Sequence, residues 1–398
     1  METKYCNFDS KEIIGQAIER WLWYLSLESL WENRKYFVKS FWVMDDNVYE
    51  VVWQVNNEVK KIVEFLSTKP EHLIQILPRK IVDVIMRRPW RISDLQRYDV
   101  LYWLDWSLNI CEVNSETPAW TPETINTDLF DKYVYKKEDW IYNANIWFCD
   151  SLLNNFSWYE NVTVVFSDDS KDAFWKTWED YTNACYLASV LKWEVVNVSD
   201  IDIQESWLYA YWKRLQNLYS FYPLEWFFLD QWWDRFRELY LRWEFDIINW
   251  PINLISQSKA FWAWIYENIQ LLNSIWIQTE AIQKYVPRYS FQKRDWTISK
   301  PRLYREWVWI WKDLQWSVYQ DIIEQKLYKI ETYEWKKDWY ITMWIYCDSN
   351  KPIWVYCRFC EEKITDSSSY FLPIYNKINE KASINPSELI NCPHSWLM

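Results

Sequence analysis

Between residues 48 and 66, Val51, Val52, Val55, Val59, Ile62, Val63 and Leu66 recur at three- and four-residue spacing, which predicts an amphipathic helix. The stretch from Leu73 to Met86 continues in the same style, so the first part of the chain is expected to be largely helical. Beyond Pro89 the pattern turns strand-like. Val100-Leu-Tyr and Leu108-Asn-Ile-Cys-Glu flank Asp105-Trp106 and predict a β-hairpin. Further on, Val162-Thr-Val-Val-Phe166 predicts a strand, and Asp180 to Lys192 a helix whose apolar face carries Tyr181, Ala184, Cys185, Ala188 and Leu191. Glu194-Val-Val-Asn-Val198 predicts a second strand, which completes a βαβ unit. The C-terminal third mixes a helix with several strands, and no internal repeat is evident. Polar segments near residues 150 to 160 and around Asn249-Trp-Pro251 suggest boundaries. The expected fold class is α+β with an α/β middle, divided at 1–150, 151–250 and 251–398.

Composition changes how the loops are read. The 398 residues include one glycine, Gly15, against 35 tryptophans, where an ordinary chain is about 7% glycine. Glycine supplies positive φ in turns and at helix C-termini, so a chain this long closes its loops with difficulty without it. Tryptophans occupy those places. Asp105-Trp106, Asp139-Trp140, Asp295-Trp296 and Asp338-Trp339 stand where Asp-Gly turns are expected, Trp193 stands where glycine would end a helix, and Arg305-Glu-Trp-Val-Trp-Ile-Trp311 has glycine-loop spacing. The pattern implies a decoding effect. UGA codons, which some bacterial lineages read as glycine, are rendered here as tryptophan, and most of the 35 positions are glycine in the cell. The alternative is a genuinely tryptophan-rich protein.

Fifty per cent hydrophobic and 25% charged residues describe a globular chain, and a net charge of −12 offers no basic face for nucleic acid or anionic lipid. The N-terminal residues lack a signal peptide's apolar core and no run reaches membrane-span length, so a cytoplasmic protein without membrane or nucleic-acid partners is expected. Eight cysteines over this length are not a disulfide framework. Cys357-Arg-Phe-Cys360, with Cys392-Pro-His394 far downstream, has loose zinc-ligand spacing, but a strand there would point Cys357 and Cys360 to opposite faces.

The chemistry concentrates in Arg97-Tyr-Asp99 and Glu112-Val-Asn114. If Asp105 and residue 106 form a two-residue type I′ loop, Asp99 lies opposite Glu112 and Arg97 opposite Asn114, with all four side chains on one face. Two carboxylates and an amide oxygen are hard ligands suited to Mg²⁺ bound with nucleotide phosphates, and Arg97 suits a carboxylate or phosphate. The alternative is a solvated strand face with ordinary cross-strand pairs.

Glu112-Val-Asn-Ser-Glu-Thr-Pro118, following an Arg-x-Asp, resembles the Glu-x-Asn-x-Asp-x segment of the glutathionylspermidine synthase family. Four more segments match that family in order: Phe221-Tyr-Pro-Leu-Glu-Trp226, Gln257-Ser-Lys259-Ala, Lys300-Pro-Arg-Leu-Tyr-Arg305 with the loop behind it, and Val355-Tyr-Cys-Arg358. The resemblance implies an ATP-grasp-like synthetase with a pre-ATP-grasp middle domain, acting as an ATP- and Mg²⁺-dependent carboxylate–amine ligase. It implies Asp99, Glu112 and Asn114 as metal ligands, and Arg97 and Arg358 as catalytic groups at the acid and its acyl phosphate. Lys259, Lys300, Arg305 and residues Trp307, Trp309 and Trp311 would hold the nucleotide. Thr117, Glu179 and Asp180 would meet a glutathione- or peptide-like acid and a polyamine-like amine. Departures are Glu116 and Thr117 in the substrate turn, a hairpin one residue longer, and no amidase domain ahead of residue 97. Competing readings are a ligase of the same fold for another acid and amine, and an inactive or tryptophan-rich binding protein.

Overall fold

The computed structural model describes residues 2–5, 40–44, 47–88, 95–102, 108–116, 141–142, 145–167, 176–302, 317–321, 328–331, 336–347, 352–360 and 370–377. Helices and sheets are mixed throughout. The expected first helix is Asn47–Leu66, and the next apolar stretch forms two helices, Pro70–Ile76 and Arg79–Arg87, because Pro78 separates them. No helix among the described residues is long and apolar enough to cross a membrane.

The largest sheet is assembled from both ends of the chain. Its order is Glu2–Tyr5, Ser40–Met44, Tyr370–Lys377, Pro352–Cys360, Lys336–Cys347, Gln96–Tyr102 and Leu108–Asn114. Only the pairing of Tyr370–Lys377 with Ser40–Met44 in that series is parallel. Alternation gives the sheet two unlike faces. Tyr98, Val100, Ile110, Val113, Ile341, Met343, Ile345 and Cys357 enter the hydrophobic core, and the helix Asn47–Leu66 packs against Lys336–Cys347 and Pro352–Cys360. Burying these side chains contributes roughly 1.5–3 kcal/mol each. The opposite face carries Arg97, Asp99, Thr342, Trp344, Tyr346 and Arg358, placed by the register Thr342↔Arg358, Trp344↔Asp99 and Tyr346↔Arg97.

A second sheet, wholly parallel, runs Asp246–Ile247, Asn217–Ser220, Val162–Phe166 and Glu194–Asn197, and the helix Lys176–Leu191 joins its last two strands as a βαβ unit. A three-stranded antiparallel sheet of Tyr289–Ser290, Ser317–Asp321 and Thr297–Pro301 brings Lys300 toward the hairpin. Of the polar segments read as boundaries, the first carries the helix Asn145–Phe156, and Asn249, Trp250 and Pro251 are buried.

Seven described residues other than glycine have positive φ, and four are tryptophans: Trp212, Trp243, Trp276 and Trp296. Tyr211 and Trp212, at φ 50° and 69°, close the hairpin in which Ala210 faces Lys213, as a type I′ turn requires. Trp243 and Trp276 each occupy the residue after a helix C-cap. The Glu244 N–H donates to the Leu239 carbonyl and the Trp243 N–H to Tyr240, a pattern repeated by Ile277 to Leu272 and Trp276 to Asn273. This is the Schellman motif, whose left-handed residue is usually glycine. Trp296, at φ 63°, sits in the turn predicted at Asp295-Trp296.

Two expectations of this kind are corrected. At the end of Lys176–Leu191 it is Lys192, at φ 58°, that takes the left-handed position, while Trp193 follows it and donates to the Ala188 carbonyl. Asp338-Trp339 is not a turn: both residues lie within Lys336–Cys347, paired with Lys329 and Tyr328. Asp105-Trp106, Asp139-Trp140 and the loop 305–311 lie outside the described residues.

Candidate active site

The hairpin places its polar residues through a bulge. Arg97 faces Asn114, Tyr98 faces Val113 and Asp99 faces Glu112; then the register slips, and Val100 faces Ile110. Cys111 is the extra residue. Strict alternation would put Ile110 on the same face as Glu112, yet Ile110 and Val113 both belong to the core, and one inserted residue reconciles them. A two-residue loop continuing the Asp99–Glu112 register does not describe the hairpin's inner half. The Cys111 thiol is pushed up to about 12 by burial and stays protonated, with Lys300 opposing and Glu112 and Asp99 adding to the rise.

On the polar face Arg97 clasps Asp99 with two hydrogen bonds, Nε to Oδ1 at 2.8 Å and a terminal nitrogen to Oδ2 at 3.3 Å. Asn114 Nδ2 donates to the same Oδ1 at 3.2 Å. Glu112 Oε2 lies 3.3 Å from Lys259 Nζ. Lys259 is the first residue of the helix Lys259–Glu267, capped by Ser258, whose side chain accepts from the Ala260 N–H. A cation at a helix N-terminus opposes the helix dipole, so its place there requires nearby negative charge. Lys300, buried on its strand, has its ammonium 5.9 Å from the Tyr289 ring centroid, and the Tyr289 hydroxyl donates to the Cys111 carbonyl.

These groups set one another's protonation. Burial would raise the Glu112 carboxyl, but Lys259, Lys300 and Arg97 outweigh it and hold it at about 2. Asp99 moves up instead, because burial and the Glu112 charge exceed the pull of Arg97 and Arg358. Burial lowers the Lys300 ammonium, with Glu112 opposing. For Arg97 burial is outweighed by Asp99, so its guanidinium is held charged.

The structure therefore brings together Arg97, Asp99, Glu112, Asn114, Lys259, Lys300 and Arg358, drawn from positions 97 to 358. Thr117, Arg305, Trp307, Trp309 and Trp311 lie outside the described residues. Glu179 and Asp180 belong to the helix Lys176–Leu191, with backbone alone described. Among the described residues no three His, Cys, Asp or Glu side chains are grouped to hold a metal. A cation here would need the oxygens of Asp99, Glu112 and Asn114 together with ligand oxygens. That donor set is hard and fits Mg²⁺ accompanying a phosphate rather than a metal held by protein alone.

No family model matches the chain, and no curated protein matches it. Among solved structures, a candidate gamma-glutamylcysteine synthetase from Methylobacillus flagellatus KT aligns over 82% of this chain and 90% of its own, at 9% identity and a TM-score of 0.36. A likeness of that size leaves fold and activity to be argued from the residues.

Sequence reading gave Gln257, Ser115 and Trp344 no role, and Glu116 only as a departure in the substrate turn. Gln257 Oε1 accepts from the Ser115 N–H at 2.9 Å, so its Nε2 faces Asn114 Oδ1, at 3.4 Å. A backbone N–H can only donate, so this contact fixes the Gln257 amide and, through it, the Asn114 amide. Ser115 Oγ donates to the Asn253 carbonyl at 2.8 Å. Glu116, buried, accepts from the Leu224 N–H at the start of the helix Leu224–Leu229, and its carbonyl accepts from Asn249. The departure is thus a structural pin. Gln257 carried a signal, two residues ahead of Lys259 in a matched segment; the contacts of Glu116, and those of Trp344, whose ring centroid lies 4.0 Å from the Arg97 Cζ and 4.7 Å from the Arg358 Cζ, join residues more than a hundred positions apart or on different strands, which no local pattern displays.

Proposed function

We propose that this chain is an ATP- and Mg²⁺-dependent carboxylate–amine ligase. The observation that carries the reading is the charge of the site: four cations, Arg97, Lys259, Lys300 and Arg358, share one enclosed face with two carboxylates, Asp99 and Glu112. Preorganised charges of both signs gathered at one place suit a ligand that carries phosphates together with a metal ion. Two lysines and two arginines suit a nucleotide's phosphates beside a carboxylate substrate.

Asp99, Glu112 and Asn114 would hold Mg²⁺, which when bound spreads the charge of the transferring phosphoryl group. Lys259 and Lys300 hold the nucleotide phosphates, joined by Arg305 and the loop of residues 307, 309 and 311 read as glycines. Arg97 and Arg358 orient the acid. Its carboxylate oxygen attacks the γ-phosphorus, the bond to the β-phosphate oxygen breaks, and ADP leaves. An amine then attacks the acyl carbon, phosphate departs, and the amine's proton passes to solvent or a nearby base. Thr117, Glu179 and Asp180 are assigned to the acid and a cationic amine by the motif resemblance, which also proposes a glutathione- or peptide-like acid and a polyamine-like amine.

The test is ADP release by the chain with glycine at the suspected positions, given glutathione plus spermidine and then amino acids with diamines. Turnover with one pair supports the reading. Its absence with every pair overturns it in favour of an anion-binding protein. Asp99→Ala and Glu112→Ala are each expected to abolish Mg²⁺-dependent ADP formation; activity retained in either variant refutes the metal assignment.

A further inference from the structure

Cys111, the extra residue of the hairpin bulge, faces no residue across the ladder, and its strand lies at the end of the large sheet's strand order. Its carbonyl accepts from the Tyr289 hydroxyl, while the Gln320 side chain hydrogen-bonds its thiol. Tyr289 and Gln320 face one another on neighbouring strands of the three-stranded sheet, and Lys300 lies on the third strand, opposite Val318. Alternation puts Gln320 and Val318 on one face, so Tyr289 and Lys300 share that face one row apart. The Lys300 ammonium stands 5.9 Å from the tyrosine ring centroid, at the outer reach of a cation–π contact. The strand Tyr289–Ser290 also packs against the helix Lys259–Glu267, whose first residue meets Glu112. Tyr289 is buried where the elements carrying Glu112, Lys259 and Lys300 come together.

We propose that Tyr289 is a positioning residue that fixes the spacing between Lys300 and Glu112 through two separable contacts, its ring steadying the ammonium and its hydroxyl holding the bulge. A bulge moved by one residue would turn Glu112 away from Asp99, because a one-residue slip exchanges the faces of a strand. The hydroxyl bond marks Cys111 as the bulge, since any other placement leaves a buried phenol without its acceptor. The ring acts on the other partner: it offers the Lys300 ammonium an electron-rich face on one side while Glu112 attracts it from another. The purpose of this spacing rests on the ligase reading, in which Lys300 meets nucleotide phosphate and Glu112 the metal. The two contacts themselves do not depend on it.

The experiment compares Tyr289→Phe, which removes the hydroxyl alone, with Tyr289→Leu and Tyr289→Met, which also remove the ring, in the full chain with glycine at the suspected positions. ADP formation is followed while ATP and Mg²⁺ are varied separately. Tyr289→Phe should raise the Mg²⁺ concentration for half-maximal activity about tenfold and leave the KM for ATP near the parent's. The ringless variants should in addition raise the KM for ATP on the order of fivefold. Thermal melts accompany each variant, and Tyr289→Phe carries the test if neither ringless variant melts cooperatively. The proposal is overturned if Tyr289→Phe keeps the parent's Mg²⁺ requirement, or if cooperatively melting ringless variants keep its KM for ATP. A fall in kcat with both constants unmoved is the signature of a structural role and overturns it as well. Two further readouts need no turnover: hydrogen exchange in the segment 108–114, expected to quicken in Tyr289→Phe, and acetic anhydride labelling of Lys300 against the exposed Lys213, expected to rise severalfold only when the ring is lost. If even the parent forms no ADP, the ligase reading fails, and these two decide the tyrosine's role; equal rates in all chains overturn it.

Discussion

A tryptophan held at positive φ and packed against nothing is a local contradiction, because its Cβ crowds the following carbonyl without compensation from burial. Trp212, Trp276 and Trp296 are 100%, 93% and 84% exposed in that conformation. Replacing each with glycine is expected to raise stability by about 1 kcal/mol, read as a higher urea midpoint. At Trp243 the gain is offset, since the Arg88 guanidinium lies 3.8 Å from its ring centroid. Trp262 and Trp264, buried in the helix Lys259–Glu267, should respond with the opposite sign, because truncation there opens a cavity. Gln257→Leu is expected to raise the Mg²⁺ concentration for half-maximal ADP formation roughly tenfold, by freeing the Asn114 amide to rotate. An unchanged Mg²⁺ requirement would show that Asn114 needs no such support. At this scale type and spacing singled out Arg97, Asp99, Glu112 and Asn114, while Lys259, Lys300 and Arg358 were singled out only by the motif resemblance, since a lone lysine or arginine carries no pattern of its own. Lys192, taking the turn position expected of Trp193, was not, because a one-residue shift at a helix end depends on packing around Trp193, whose ring meets Phe156 and Tyr219.

Among the elements, the hairpin is the best example of a partly legible structure. The pairs Asp99–Glu112 and Arg97–Asn114 were expected from a two-residue loop at Asp105-Trp106 and are found in the outer half of the hairpin, whereas the slip between Asp99 and Val100 was not expected and removes that loop register from the inner half. The clue to that slip was present: Ile110 and Val113 cannot share a core face unless a residue is inserted between them. What holds the hairpin against the parallel sheet was hidden, since it depends on Asn249. Its Oδ1 accepts from the Ser220 N–H at 2.9 Å, and its Nδ2 donates to the carbonyls of Ser220 and Glu116 at 2.9 and 3.3 Å. Asn249→Ala is expected to cost about 2–3 kcal/mol, because buried backbone groups lose their partners. Chemical denaturation would show it, and a change within experimental error would mean that the segment relaxes to solvent.

For the molecule as a whole, charge links the site to stability. Glu112 ionises more easily folded than unfolded, so its contribution is present above the ordinary value of 4.5 and is lost as the pH falls toward about 2. Asp99, shifted upward, contributes in the opposite sense. Glu112→Gln should therefore flatten the fall of Tm with acidification below pH 4.5; an unaltered profile would show that the cations around Glu112 do not stabilise its charge. The mixed class and the βαβ unit were legible from periodicity, while the order of the large sheet was not, because Gln96–Tyr102 pairs with a strand more than two hundred residues downstream. That order also sets a timetable for synthesis. A ribosome adding about 5–20 residues per second delivers the hairpin some tens of seconds before its sheet neighbour emerges. During that interval Tyr98, Val100, Ile110 and Val113 have no central strand beside them, and the nascent chain presents an open strand edge, the condition in which chaperones are most needed. A ribosome that stops before residue 336 releases a chain with the carboxylates made and the sheet that aligns them with Arg358 never closed.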